Sequence, residues 1–224
     1  MRIHFVTEGS LGEYWDGGSR TPCDVLVFGF DGLGEVDFAA ELAGETQKLE
    51  DMAILSRELG CTVLAGCITD SCGIRHKSVA VAENGRILGV TDMLHIGEQD
   101  DIKSGAHLKV YATRAGKLGV CVGEDLYYPA VAEALALFDA DVIFNVFGEA
   151  EDTIPQLMLR ACAFIAGVGI GMCARGIAQF SSPEGEILMR CAKKESELFY
   201  EPEREYRITS VRSRGLGRKK REDY

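Results

Sequence analysis

The sequence predicts an α/β fold in which mixed β-sheets are flanked by helices. Short continuous apolar runs at 24–30 and 141–146 are typical of strands covered on both faces. Between 35 and 59 apolar residues recur at helical spacing. Asn84-Gly85, a two-residue hairpin signal, joins one pair of apolar segments, and Pro183-Glu184-Gly185 separates another. Strands that alternate with helices in one part and form hairpins in another imply a mixed sheet system.

Taken in order, residues 1–7 alternate like a strand, and 8–21, rich in Gly, Ser and acid, reads as a loop. The run 24–30 is a buried strand. In 35–59 the helical positions are Phe38, Leu42, Leu49, Met52, Ile54 and Leu55, and Gly60 stops the helix. Strands are expected at 62–68, 76–83 and 86–90, the last two joined by Asn84-Gly85. Residues 108–113 and 117–123 repeat the strand–turn–strand pattern. A helix at 128–138, a buried strand at 141–146 and a helix at 154–166 follow. Strands at 168–173, 177–181 and 186–191 complete the pattern. With no internal repeat or linker, residues 1–211 read as one domain and 212–224 as a basic tail.

The composition narrows the function. Of 224 residues, 46% are hydrophobic and 26% charged, enough to bury a full core. The formal net charge of −11 argues against a general nucleic-acid or anionic-membrane surface. The local exception, Arg212 to Arg221 with Arg214, Arg218, Lys219 and Lys220, is read as a solvated tail, because nothing aromatic interleaves its charges. No run of about 18 apolar residues is present to span a bilayer. No basic and then apolar leader opens the chain, so a soluble cytoplasmic protein is expected.

Eight cysteines stand out, most of them among Val, Ile, Leu, Ala and Gly, where a free thiol behaves as a small hydrophobe. None forms a CxxC pair, so reduced thiols rather than disulfides are expected. The four histidines, His4, His76, His95 and His107, have no metal-ligand spacing. Neither a metal nor a cofactor is expected.

The order of elements and their punctuation resembles the nitrilase superfamily, the carbon-nitrogen hydrolases, over nearly the whole chain. Residues 24–28 are similar to the family strand that leads to its first catalytic residue, and 84–89 to the hairpin before its catalytic lysine. Lys103-Ser104-Gly105 stands at the family's aromatic-x-Pro-Gly turn, and 117–129 resembles the nucleophile strand and elbow. Residues 139–145 resemble the next strand, 182–186 a late hairpin, and 218–224 the basic C-terminal stretch closing on tyrosine. The resemblance implies an αββα sandwich of two mixed sheets with helices outside. It also implies pairing between subunits, hence a homodimer or higher homo-oligomer. Residues 8–23 are too short and polar for the family's long first helix, so that outer helix is expected to be missing. Its sheet surface then needs cover from a loop, the Trp15 region or a neighbouring subunit.

The family mechanism implied by the resemblance is attack of a thiolate on a carbonyl or nitrile carbon, with a glutamate taking its proton and a lysine stabilising the tetrahedral intermediate. Matched position by position, the glutamate becomes Phe30, the lysine becomes Met93 and the nucleophile becomes Gly123. The family's second glutamate is retained as Glu98, seven residues before Gly105. The register at Phe30 is the softest, since Asp31 is adjacent and Glu35 follows closely. Cys121 is a candidate displaced nucleophile against a plain buried strand cysteine; a period of two puts it on the same side as position 123, about 6.5 Å deeper.

Glu124 and Asp125 are expected to fix the elbow and cap the helix after it. His95 is expected beneath the pocket, and His76 and Lys77 on a solvated strand edge rather than at the pocket mouth. Glu149 and Glu151 read as an acidic loop rather than a substrate-selecting one. Arg175 is either a pocket wall or a salt-bridge partner. The expected pocket thus comprises Phe30, Met93, His95, Glu98, Gly123, Glu124 and Phe147, open to an amide- or carboxylate-like small molecule. The functional expectation is a degenerate carbon-nitrogen hydrolase homologue that binds a small molecule or serves as a partner subunit. The alternative is a divergent amidase or nitrilase-type hydrolase using Cys121, Glu98, Asp31 or His95.

Overall fold

The computed structural model describes residues 1–17, 21–97, 101–150 and 153–202. Glu98, Glu151 and the basic tail 212–224 lie outside the described residues. No helix among the described residues is long and apolar enough to cross a membrane.

The chain opens with β1 (Arg2–Val6) and a six-residue helix α1 (Leu11–Asp16), followed by β2 (Val25–Phe28). A loop was expected where α1 lies. The missed signal is a capping box: the Ser10 hydroxyl accepts from the Glu13 N–H, and the Glu13 carboxylate accepts from the Ser10 N–H. The outer layer expected to be missing is therefore shortened to α1. Leu11 and Tyr14 are buried, Tyr14 packs edge-on against Phe28 at 5.4 Å, and Trp15 adds a partly buried ring.

Residues 35–59 do not form one helix but β3 (Gly34–Asp37), α2 (Phe38–Ala43) and α3 (Lys48–Leu59). Asp37 starts α2 by accepting from the Ala39 and Ala40 N–H groups. The Glu41 carboxylate then accepts from the Thr46 hydroxyl and from the Lys48 and Leu49 N–H groups, capping α3 from the previous helix.

Two long strands, β4 (Thr62–Ser71) and β5 (Ile74–Glu83), lead to β6 (Arg86–Asp92). The Asn84-Gly85 turn has φ of 53° and 79°, the left-handed pair that the two-residue hairpin requires. Then come β7 (Lys109–Thr113), β8 (Gly116–Val122), a 3₁₀ turn (Gly123–Tyr127), α4 (Pro129–Leu137) and β9 (Val142–Glu149). Helix α5 (Ile154–Ala166) precedes β10 (Gly169–Arg175), β11 (Ile177–Ser181), β12 (Ile187–Cys191) and β13 (Glu195–Phe199). Strand β13 was not expected, because its Glu195 and Glu197 dilute the apolar pattern; it completes an edge beside β1.

One sheet runs β13-β1-β2-β4-β5-β6, with β3 pairing the upper half of β4, and the other runs β12-β11-β10-β9-β8-β7. Both are mixed: β1, β2 and β4 are mutually parallel, as are β8, β9 and β10, and hairpins extend the edges. Between the sheets lies a core that includes Phe5, Val27, Leu64 and Val79 from one and Leu118, Val120, Phe144 and Phe180 from the other. A second core seals the first sheet under α1 and α3, and a third seals the other under α4 and α5. This is a four-layer αββα sandwich. Phe144 is fully buried between the sheets against Phe5, ring centroids 6.4 Å apart. Phe144→Ala is expected to lower unfolding free energy by ~3–5 kcal/mol in urea titration; a loss below about 1 kcal/mol would mean that the two sheets do not meet there.

Candidate functional site

The parallel strands deliver their C-terminal ends to one edge of the sandwich. There the turn after β2, the segment after β6, the 3₁₀ turn after β8 and the ends of β9 and β10 converge. Gly66 makes the approach possible: a Cβ on it would lie 2.8 Å from both Phe30 Cα and Val146 Cγ1. Phe30 therefore packs across from one sheet to the other.

Gly123 leaves β8 with φ of +51°, and a Cβ built on it would meet Met93 Sδ at 2.8 Å. Met93 itself is buried in the inter-sheet core. Its N–H donates to the Lys77 carbonyl at 2.8 Å, and its carbonyl accepts from the Gly105 N–H at 2.8 Å. The next two residues are held by Asp125, which is 2% exposed and accepts from the Leu94 N–H, the His95 N–H and His95 Nδ1 at 2.8, 2.8 and 2.7 Å. Because an ionised carboxylate only accepts, Nδ1 carries the proton in this contact. The His95 ring also stacks on Tyr128, centroids 3.6 Å apart. Asp125 thus ties the end of β6 to the elbow rather than capping α4 with its side chain.

Lys77 departs from the expected solvated edge. It neighbours Met93 across β5 and β6, shares its core-facing side, and sets Nζ 3.4 Å from Glu124. Beneath the elbow, Asn145 Nδ2 donates to the carbonyls of Gly123 and Cys121 at 3.1 and 3.3 Å. Sequence reasoning did not single out Asn145, although an amide inside the apolar run 142–147 was the available signal.

Cys121 does not face the same side as position 123. Val120 and Val122 belong to the inter-sheet core, whereas Cys121 belongs to the core under α4 and α5. The strand period predicted the opposite because it assumed that the extended backbone continues through 123; the left-handed Gly123 breaks it. Burial pushes the Cys121 thiol well above its ordinary 9.0, the Asp125 carboxylate raises it further, and the Asn145 amide works the other way. A thiol held neutral is not a nucleophile.

Asp31 turns away to form a two-toothed pair with Arg175, at 2.6 and 3.0 Å, and Arg175 Nη1 reaches Glu149 at 2.7 Å. Arg175 is thus both ion-pair partner and pocket wall: with Phe30, Asp31, Phe147 and Glu149 it lines a cavity of about 100 Å³. Of the expected pocket residues, Phe30 and Phe147 line this cavity, while Met93, His95, Gly123 and Glu124 do not. Glu35 pairs instead with Arg75 at 2.7 Å. Among the described residues no cluster of three or more His, Cys, Asp or Glu is arranged to hold a metal.

Residues 13–202 match the family model described as carbon-nitrogen hydrolase. A curated relative, a probable nitrilase of Schizosaccharomyces pombe, is 30% identical over 126 residues, 54% of this chain and 46% of that protein. The chain therefore spans about half the length of the curated relative it matches. Among solved structures, a variant of the amidase from Nesterenkonia sp. AN1 in complex with butyramide superposes with a TM-score of 0.74 at 14% identity, covering 88% of each chain. Another variant, in which acrylamide has added to the active site cysteine, gives 0.74 at 16% identity over 88% of this chain and 91% of that one. At these identities the likeness is one of fold.

Buried thiols make stability depend on alkaline pH. Burial pushes Cys162 up to about 11 and Cys67 up to about 12. The unfolded chain ionises its thiols from about pH 8.5. Above that pH the unfolded state binds fewer protons than the folded one, so stability, full below about pH 8.5, falls as pH rises. The slope is up to ~1.4 kcal/mol per pH unit per thiol until each folded-state value is passed. Urea midpoints measured from neutral to alkaline pH are expected to follow this decline, and iodoacetamide is expected to label exposed Cys72 while sparing Cys121 until unfolding. A flat profile with early Cys121 labelling would contradict the burial.

Proposed function

The chain belongs to the carbon-nitrogen hydrolase family, and from that premise we propose that it is a degenerate member whose site binds a small molecule, or supports a partner subunit, without performing the family reaction. The observation that carries this reading is the place of Met93: its sulfur lies 2.8 Å from where any side chain at Gly123 would begin. A thioether thus fills the space into which the family thiol projects, and Phe30 stands where the resemblance puts the base. Removal of one donor that stabilises the developing oxyanion costs roughly two to three orders of magnitude in rate, and without a nucleophile no acyl adduct forms.

The replacements are mutually consistent. A buried carboxylate or ammonium without its partners carries a desolvation cost, so an apolar Phe, Met and Gly set is cheaper than any one surviving charge alone. The rival reading, a rearranged hydrolase, finds little support in the described residues: Cys121 faces the helix layer, and Asp31 is engaged by Arg175. The remaining cavity, walled by Phe30 and Phe147, suits an amide- or carboxylate-like molecule of a few heavy atoms.

Incubation with a panel of short amides, nitriles and N-carbamoyl compounds is expected to give no turnover above buffer and no mass adduct. Gly123→Cys alone is expected to remain inactive, because Met93 Sδ occupies the space its side chain would enter, Phe30 supplies no base, and Lys77 is already paired with Glu124. Turnover lost in Cys121→Ala, or a stoichiometric adduct on any residue, overturns the proposal.

Assembly into a homodimer or larger homo-oligomer is part of the same proposal. Leu137, Leu157, Phe164 and Ile165 of α4 and α5 are exposed, as is Phe138 just after α4. Apolar surface of that kind is covered in assemblies more often than left to water. Light scattering is expected to return a whole multiple of the chain mass, and Leu157→Glu to reduce it; a monomer at micromolar concentration would oppose this part.

A further inference from the structure

A second cavity, of about 270 Å³, opens at the opposite edge of the sandwich from the candidate site. It is built where β2 and β4 begin, where β5 ends, and where the β7–β8 hairpin turns. Asp24, Thr62, Glu83 and Arg114 line it, with Cys61 also on its wall. Its size falls just below the roughly 300–1,000 Å³ of drug-sized pockets, the range of a single metabolite.

The polar groups have a common pattern. Asp24 Oδ2 accepts from the Arg2 N–H at 2.6 Å. Glu83 Oε1 accepts from the Thr62 hydroxyl at 2.7 Å and the Arg114 N–H at 2.9 Å. Each carboxylate is thus fixed through one oxygen, and the second, Asp24 Oδ1 or Glu83 Oε2, has no partner among the described residues. The Arg114 guanidinium likewise pairs with no carboxylate among the described residues, although its own backbone is bonded to Glu83. Met1 lines the cavity as well, and its terminal ammonium donates to the Tyr200 carbonyl at 2.8 Å rather than pairing with either carboxylate, so Asp24 and Glu83 face the cavity without an ion-pair partner among the described residues.

The strand register sets the spacing. Val25, Thr62 and Glu83 stand in one row across β2, β4 and β5, so Asp24 and Glu83 flank β4 at about two strand spacings, or about 10 Å. The Asp24 carboxylate is anchored toward Arg2 on β1 and the Glu83 carboxylate toward Thr62 on β4, so each is held at its own place on the wall. We propose that this cavity binds a basic α-amino acid, with its carboxylate on Arg114 and its two cationic groups on Asp24 and Glu83. The recognition needs both signs of charge in the ligand. None of Phe30, Met93 or Gly123 takes part, so the proposal stands or falls independently of the reading of the candidate site.

Titration calorimetry on the full chain at low ionic strength tests it with L-lysine and L-arginine as probes. Three controls each remove one element: L-norleucine the second cation, 1,5-diaminopentane the carboxylate, and hexanoate both amines. Either basic amino acid is expected to bind with Kd of about 1 mM or tighter, and each control at least about tenfold more weakly. Arg114→Ala should weaken L-lysine by about tenfold and leave 1,5-diaminopentane unchanged. Glu83→Gln keeps the acceptor that bonds Thr62 and Arg114 while removing the charge, and should weaken both; Asp24→Asn repeats the test at the other carboxylate. No heat from either basic amino acid up to about 10 mM, or binding that none of the three folded variants alters, overturns the proposal.

Discussion

A single buried carboxylate holds the candidate site in its present form. Asp125 sits in the 3₁₀ turn that follows the left-handed Gly123, and its two oxygens take three N–H groups from Leu94 and His95. Bonds of this kind to an ionised group in a dry setting are among the stronger ones available to a protein, about 1.5–3 kcal/mol each. They fix the end of β6 of one sheet against the end of β8 of the other. Met93, the residue just before Leu94, is thereby delivered onto Gly123. The contact between its sulfur and the glycine is a consequence of how the segment is tethered rather than of chance packing. Were the tether loose, the thioether would be free to swing aside and the space above Gly123 would reopen.

The same tether explains why the apolar substitution of this edge is stable. A strand-end pocket between two sheets is partly shielded from water, so each charge in it needs a partner close by. Here three cations near the edge have one: Lys77 with Glu124, Arg75 with Glu35, and Arg175 with Asp31 and Glu149. In each pair the cation comes from a strand; of the acids, Glu124 and Asp31 come from turns, which they hold against the sheets, and Glu35 and Glu149 come from strands. These pairs are half-exposed, so each contributes little to stability, on the order of 0–1 kcal/mol. Their effect is on shape, since they fix which side chains wall the small cavity. Behind the elbow, Asn145 does in the buried layer what the ion pairs do at the rim, by bonding the Cys121 and Gly123 carbonyls where β8 passes into the turn.

Much of this was legible in the residues. The hairpin at Asn84-Gly85, the buried runs at β2 and β9 and the helix α5 all follow from local patterns that tertiary packing reinforces. What was not legible depended on contacts distant in sequence. Residues 35–59 carry a helical rhythm throughout, yet β3 is captured by the upper half of β4, which buries Val36 and breaks the helix. Strand β13 is too acidic to register as a strand until β1 is there to pair with it. The side on which Cys121 points was misread for a different reason. One residue with positive φ reverses the facing of everything after it, and nothing in the strand period announces which glycine does so. Lys77 was misplaced because its position was judged from local polarity, whereas its cross-strand neighbour is the buried Met93.

The two ends of the sandwich differ in how their charges are settled, and the difference follows from the topology. At the C-terminal ends of the parallel strands long connections cross over, and those connections carry Glu124 and Asp31, which compensate Lys77 and Arg175, while Glu149 at the end of β9 adds a second partner for Arg175. At the opposite edge the strands β5 and β6, and β7 and β8, return through tight turns, which offer backbone N–H groups but few side chains. Glu83 and Arg114 stand beside those turns and are tied to each other through one main-chain bond, with their charged ends left facing the cavity. A charge in a partly enclosed space that no described residue neutralises raises the free energy of the empty state and favours whatever ligand supplies the opposite sign. The edge where the family reaction belongs is, in this chain, electrostatically closed; the unsatisfied chemistry lies at the other end of the same strands.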